Sequence, residues 1–216
     1  IMTVSGCTII GNTAMSGGGI ATFPYTRTED DATGSNACGL TLGAGNIISN
    51  NKAVATGKFK PFSSEGNGAD QDAPGSKIDK VIEYTGGGGG VWCYMNKDKW
   101  TCSLEIGKGN TIQENNAENM GGGVLVEHVA GTYTELKVTG AQIEENKANQ
   151  GGGVAVIKAT VSIDSGEITE NTAVINGGGI YVTSGICNVS GTGSVSDNKA
   201  ANGGGIYIDN SSLTVS

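Results

Sequence analysis

Residues that could carry acid–base catalysis are few and lie far apart in this chain. Among 216 residues there are 21 acidic side chains but only one histidine, His128, and one arginine, Arg27. Glycoside hydrolysis needs a pair of carboxyl groups around the bond that breaks, and proton abstraction needs a positioned base. His128 follows Glu127 at the end of a predicted strand, so we expect it at the surface. The sequence therefore predicts no catalytic residues and a protein that is not an enzyme.

Oxygen ligands that suit a hard cation come close together at one place, Asn67, Asp70 and Asp72. Calcium sites in proteins use six to eight such oxygens. The segment matches neither the EF-hand loop nor the G-G-x-G-x-D repeat of calcium-binding β-rolls. A solvated acidic loop is the better interpretation, so no metal site and no cofactor is predicted.

Five cysteines could form disulfides if the protein is extracellular. Cys93 and Cys102 flank a short turn and have the parity of inward-facing strand residues, which favours a hairpin disulfide between them. Cys38 is the alternative partner of Cys102, because each lies two residues before the start of a predicted strand and the two would stack on neighbouring repeats. Cys7 and Cys187 fall at inward positions and are expected to be buried.

Any site on this chain must be built on a repeated unit of about 25 residues. Each unit has a short apolar-x-apolar strand, an I/V-x-x-N-x-A box, three glycines and a second alternating strand. The first strands start at Met2, Leu40, Leu104, Leu136, Val161, Cys187 and Leu213, and the last three intervals are 25, 26 and 26 residues. The box asparagines are Asn12, Asn51, Asn115, Asn146, Asn171 and Asn198.

Short runs in which apolar and polar residues alternate indicate strands and not helices. We predict three strands per unit and an all-β fold, a right-handed parallel β-helix of about six rungs, where a rung is one turn of the helix. Each box asparagine is expected at a corner, in the left-handed conformation, with its amide bonded to the next rung. The glycines would permit positive φ or close backbone approach. Residues 1–216 are interpreted as a single β-helix segment of a longer protein.

Two insertions interrupt the repeat, at about residues 24–37 and 56–102. Insertions in a solenoid often gather on one face and carry its binding function. Surface loops without a ligand are an equally good interpretation.

The last strand of each unit predicts an aromatic stripe on the outside of the β-helix. If Val91 and Ile180 point inward, then the outward positions include Trp92, Tyr181 and Tyr207. Such a stripe is either covered, by the chain's own loops or by a neighbour, or it binds a ligand such as a glycan. The predicted ligand-binding residues are Trp92, Tyr94, Trp100, Tyr181 and Tyr207.

The pairing of I/V-x-x-N with G-G-G-I/V resembles the repeats of chlamydial polymorphic outer-membrane proteins, which pair F-x-x-N with G-G-A-I. More broadly, it resembles bacterial surface proteins with right-handed β-helix repeats of the pectin-lyase-like superfold. The resemblance covers nearly all of the chain outside the insertions. It implies a secreted or surface-displayed passenger or adhesin.

The charge and the resemblance together define the expected function. A formal net charge of −8 opposes binding to nucleic acid, and no apolar run is long enough for a membrane helix. We expect an extracellular, non-catalytic adhesin or display scaffold that binds a glycan or a protein of a host or neighbouring cell. The alternatives are a stalk or filament subunit that stacks end to end, and a non-catalytic part of a polysaccharide-active enzyme.

Overall fold

The chain forms a parallel β-helix, as the repeat predicts. The computed structural model describes residues 2–22, 37–54, 56–59, 82–95, 101–128 and 134–216. These residues contain strands and no helix, and nearly all the strands belong to four parallel sheets. The chain visits the four sheets in turn, and each strand pairs with its equivalents in the rungs before and after it. No helix within the described ranges has the length and apolar character needed to cross a membrane.

The strands are numbered in chain order. Sheet 1 contains, in spatial order, β1 (Met2–Val4), β5 (Ala37–Leu42), β11 (Thr101–Ile106), β15 (Thr134–Val138), β19 (Thr160–Ile163), β23 (Ile186–Val189) and β26 (Ser212–Val215). Sheet 2 contains β2 (Thr8–Ile10), β6 (Ile47–Ser49), β12 (Thr111–Gln113), β16 (Gln142–Glu144), β20 (Glu167–Thr169) and β24 (Ser194–Ser196).

Sheet 3 contains β3 (Thr13–Ala14), β7 (Lys52–Ala53), β13 (Asn116–Ala117), β17 (Lys147–Gln150) and β21 (Thr172–Asn176), the first three of which have only two residues. Sheet 4 contains β4 (Ile20–Thr22), β10 (Val91–Met95), β14 (Val124–His128), β18 (Val154–Ile157), β22 (Ile180–Thr183) and β25 (Ile206–Asp209). Two further strands, β8 (Thr56–Phe59) and β9 (Ile82–Thr85), form an antiparallel pair inside the predicted insertion 56–102. Strand β10 falls within the same range but belongs to the β-helix.

Within the described residues, each of the first five rungs contributes four strands to the parallel sheets and not the predicted three. The additional strand, in sheet 3, carries the alanine of the N-x-A box, whose side chain points inward. Ala53, Ala117 and Ala148 are buried together there, apart from the main core. Three of the five strands in sheet 3 have only two residues, and a two-residue strand has no periodicity that repeats from rung to rung and that a sequence pattern can reveal.

The predicted register of sheet 1 is correct. The backbone ladder aligns the strand starts Met2, Leu40, Leu104, Leu136, Val161, Cys187 and Leu213 in one row. A slip of one residue would turn every inward side chain outward. In the interior, Leu104, Ile112 and Val124 belong to one continuous apolar cluster and are fully buried. Each such side chain contributes about 1.5–3 kcal/mol through burial.

The corner before sheet 3 uses a left-handed residue, but this is not the box asparagine. The left-handed residue is the one that precedes the box asparagine. Its φ lies between 54° and 56° at Asn50, Glu114, Glu145, Glu170 and Asp197. The asparagine must point its amide into the rod, and the preceding residue makes the turn that allows this. The expectation of left-handed box asparagines is therefore wrong.

The middle glycine of each triplet is required for close backbone approach. A Cβ built on Gly152 would lie 2.5 Å from the carbonyl oxygen of Thr172 and 2.6 Å from that of Gly178. Real Cβ atoms do not approach backbone oxygens so closely, so no side chain fits at this position.

Candidate functional site

The six box asparagines form a hydrogen-bonded ladder along the rod. Asn146 is representative, and its side chain is fully buried. Its Oδ1 accepts from the backbone N–H and the Nδ2 of Asn115, at 2.9 and 3.0 Å. Its Nδ2 donates to the carbonyl of Ile112 at 2.8 Å and to Oδ1 of Asn171 at 3.0 Å. With every polar atom satisfied by the neighbouring rungs, this row holds the β-helix together and offers nothing to a ligand.

A second, shorter asparagine ladder was not predicted. Asn46 Nδ2 donates to Oδ1 of Asn110 at 2.7 Å, and both side chains are buried at the corner between sheets 1 and 2. Asn46 Oδ1 accepts from the backbone N–H of Cys7 at 2.9 Å. A repeated G-x-G-N motif marks both asparagines in the sequence. That motif could have revealed this ladder, although it occurs in only two rungs.

The aromatic stripe on the outer face of sheet 4 is closed along most of its length. Its register is as predicted, with Trp92 next to Leu125, then Ala155, Tyr181 and Tyr207. Trp92, Leu125 and Ala155 are nevertheless fully buried and form a second apolar cluster. At Trp92 the stripe therefore follows the first of the two predicted alternatives, in which the outer face is covered, and this part of it behaves as a core.

Tyr94 borders the buried part of the stripe. Its ring is partly buried and lies 5.3 Å from that of Trp92, tilted by 52°. Trp100, the remaining aromatic residue of the predicted set, lies outside the described residues, as do Arg27, Asn67, Asp70 and Asp72.

The stripe opens to solvent at its far end, at four residues that we name the tyrosine platform: Tyr181, Thr183, Tyr207 and Asp209. The two rings stack with centroids 5.9 Å apart and planes 14° apart. Tyr181 is 7% exposed, Tyr207 is half-buried and Asp209 is exposed. Thr183 Oγ1 donates to Asp209 Oδ2 at 3.4 Å. The platform thus combines an aromatic surface with a carboxylate and hydroxyl groups.

Burial and a neighbouring charge both act on the pKa of the Tyr181 hydroxyl. Burial raises the pKa of the Tyr181 hydroxyl, the hydrogen bond with Thr183 lowers it, and the Asp209 carboxylate raises it further. The hydroxyl therefore stays protonated and can donate a hydrogen bond.

Glu127 and His128 lie side by side on β14 but face opposite sides of the sheet. Burial raises the pKa of Glu127, while the nearby Trp92 indole lowers it. His128 is 1% exposed, and its Nδ1 lies 2.9 Å from the Thr134 hydroxyl oxygen. The expectation of a surface histidine is wrong, because His128 is the last residue of β14 and shares the inward parity of Val124 and Val126.

The cysteines can be compared with the predictions only in part. Cys93 is buried in β10, and the Cys93–Cys102 disulfide stays a prediction. The backbone ladder pairs Cys38 with Cys102, but their side chains lie outside the described residues. Cys187 is buried as expected, and burial raises its pKa to about 11. Cys7 is exposed and not buried, because it lies at a corner of the first rung.

An acidic ridge runs beside the asparagine ladder, formed by Glu114, Glu144, Glu145, Glu167 and Glu170. Burial is the largest cause of the raised pKa of Glu144, and the carboxylates of Glu145, Glu170 and Glu167 raise this pKa further. In the part of the chain that the structure describes, no group of three or more histidine, cysteine or acidic side chains is arranged to hold a metal ion. The carboxylates of this ridge are solvated and repel one another.

The fold and these surfaces define the chain as a parallel β-helix solenoid. Comparison with known proteins identifies no relative, since no family model, curated protein or solved structure matches the chain.

Proposed function

We propose that this chain is a rigid extracellular scaffold, displayed at a bacterial surface, that binds a glycan through the tyrosine platform and catalyses no reaction. The observation that carries the proposal is the opening of the aromatic stripe. The row is buried from Trp92 to Tyr181, whereas Tyr207 in the next rung is half-buried and lies beside the exposed Asp209.

The chemistry of the platform suits a sugar. Aromatic rings pack against the apolar face of a pyranose, and carboxylate or hydroxyl groups beside the ring accept and donate hydrogen bonds to sugar hydroxyls. Asp209 and Thr183 are in that position next to the Tyr207 ring. Because the chain carries a net charge of −8, a neutral glycan is favoured over an acidic polysaccharide.

The cellular setting is inferred from the repeat. The paired I/V-x-x-N and G-G-G-I/V motifs are similar to those of bacterial surface β-helices, including the chlamydial polymorphic outer-membrane proteins. Membership of the pectin-lyase-like superfold and a passenger or adhesin role are part of the same proposal. A protein of a host or neighbouring cell is the second class of partner that such a surface would bind.

Glycan binding is tested on an array of neutral and acidic glycans with the unaltered chain and with Tyr207→Ala and Asp209→Asn variants. Thr214→Ala is the matched control, since it removes an exposed side chain from the same end of the rod but from sheet 1. We expect both platform variants to lose roughly tenfold or more in affinity, and the control to bind normally. Failure of the unaltered chain to bind any glycan, or equal binding by all variants, would refute the proposal.

A further inference from the structure

The corner between sheet 4 and sheet 1 becomes shorter after the third rung. Five residues connect β10 with β11 and β14 with β15, whereas two residues connect β18 with β19, β22 with β23 and β25 with β26. The first residue of each two-residue corner is left-handed, with φ between 46° and 54° at Lys158, Ser184 and Asn210. Three successive corners therefore repeat one tight geometry.

A groove forms along these corners because their second residues present little to the surface. Ala159 is buried, and Gly185 has no side chain, since a Cβ there would collide with the Ala159 carbonyl oxygen. Ser211 Oγ is held by the backbone, where it accepts from the N–H of Gly185 at 2.9 Å and donates to the carbonyl of Asp209 at 2.7 Å. Ala159, Gly185 and Ser211 form the floor of a groove of about 480 Å³, which we name the corner groove. This volume is in the range of small-ligand sites.

The walls of the corner groove carry hydrogen-bonding groups on both sides. The six wall residues are Lys158, Ser184 and Asn210 on one side, and Thr160, Ile186 and Ser212 on the other. Ile186 is 37% exposed and supplies an apolar contact, while the ammonium, amide and hydroxyl groups around it can bond to sugar hydroxyls. None of the lining residues is acidic, although the chain carries a net charge of −8.

The corner groove adjoins the tyrosine platform. Thr183 and Asp209 of the platform directly precede Ser184 and Asn210, so the two surfaces share one edge of sheet 4. Gly185 on the groove floor follows Tyr181 by four residues, at most about 14 Å of chain. A single sugar on the platform does not also fill the groove, whereas a disaccharide or trisaccharide can bridge the two. The middle of the groove lies within the stack of rungs, because β23 pairs with both β19 and β26.

We propose that the corner groove is the second part of the glycan-binding site, so that the chain recognises a neutral oligosaccharide and not a single sugar. This inference rests on the proposed function, glycan binding at the tyrosine platform. One sugar packs on the Tyr207 ring, and a following sugar lies in the groove against Ile186. There Lys158 and Ser184 donate hydrogen bonds to the hydroxyls of the second sugar.

The inference is tested by measuring how affinity depends on the length of the sugar chain. The unaltered protein is titrated, with NMR detection, with glucose, galactose, mannose and N-acetylglucosamine and with their linear di- and trisaccharides. A Lys158→Gly/Ser184→Gly variant removes two polar groups of the groove at left-handed positions that glycine adopts without strain. Glu145→Gly/Glu170→Gly is the matched control, because it makes the same change at two left-handed positions of the same two rungs, outside the groove. Thermal unfolding checks that both variants fold.

We expect the trisaccharide of at least one series to bind the unaltered protein roughly tenfold or more tightly than its monosaccharide, through the added hydrogen bonds. The groove variant should lose this gain and still bind the monosaccharide as the unaltered protein does. The control should keep the gain.

The possible failures separate this inference from the function on which it rests. If sugars bind but the trisaccharides bind no more tightly than the monosaccharides, the groove is not part of the site, although glycan binding stands. The same conclusion follows if the groove variant keeps the full gain. If no sugar of any length binds the unaltered protein, both the inference and the proposed function are refuted.

Discussion

Replacing Asn146 with alanine tests whether the buried ladder holds the β-helix together. The substitution removes one acceptor and two donors from a position that is fully buried between two rungs. Asn171 Oδ1 keeps a partner, because the backbone N–H of residue 146 still donates to it at 3.0 Å. Asn115 Nδ2 likewise keeps one partner, the carbonyl of Ile48 at 2.9 Å. The N–H of Asn115 and the carbonyl of Ile112 lose their bonds to the Asn146 side chain.

The cost follows from the number of groups left without a partner. Asn115 is 1% exposed and Ile112 is fully buried, so water does not replace the lost bonds without opening the rod. At about 1–3 kcal/mol for each buried unsatisfied group, two groups predict a loss of roughly 2–6 kcal/mol. A domain is typically stable by about 5–15 kcal/mol, so this single change should remove a large part of the total. Asn198→Ala, at the partly exposed end of the ladder, should cost only about 1–2 kcal/mol.

The assay is urea unfolding followed by circular dichroism. Asn149→Ala is the matched control, because Asn149 lies three residues further on, is exposed, and its side chain makes one bond, to the carbonyl of Glu118 at 2.7 Å. We expect this control to change stability by less than about 1 kcal/mol. If Asn146→Ala and Asn149→Ala have the same unfolding midpoint, the ladder contributes no special stability and the reasoning fails.

Three further predictions concern the glycines, the acidic ridge and the thiols. Gly152→Ala should lower the free energy of unfolding in urea by at least about 3 kcal/mol. Gly205→Ala should lower it by less than about 1 kcal/mol, because a Cβ at Gly205 would meet nothing within 3.5 Å. Equal losses for the two variants would contradict the steric argument. Burial and then the neighbouring carboxylates raise the pKa of Glu144 in the folded protein. Glu144 therefore lowers the free energy of unfolding only above about pH 4.5, its ordinary pKa, and this effect grows as the pH rises towards the raised pKa. Glu144→Gln should therefore raise the urea midpoint at neutral pH only, and an equal rise at acidic pH would refute this. Alkylation followed by mass spectrometry should modify Cys7 in the folded protein but Cys187, with its pKa of about 11, only after unfolding; native labelling of Cys187 would contradict its burial.

The main architecture could be predicted because the repeat encodes it directly. Alternation with period two indicates which residues of a strand point inward, and a constant unit length places equivalent residues in one row. The rows that begin at Met2 in sheet 1 and at Ile20 in sheet 4 follow from these two facts alone. The corners were predicted less well, since their residues have no periodicity. This explains the missed strand at Ala53 and the left-handed residue assigned to the asparagine instead of its predecessor.

Sequence and tertiary structure each decided a different property of the candidate site. The sequence alone determined that Trp92 and Tyr207 belong to the same outward row, because parity and repeat length are properties of the chain. Only the tertiary structure showed that Trp92 is fully buried while Tyr207 remains half-buried beside an exposed Asp209. The physical reason is that parity determines which face of a sheet a side chain occupies, whereas solvent access depends on what packs against that face.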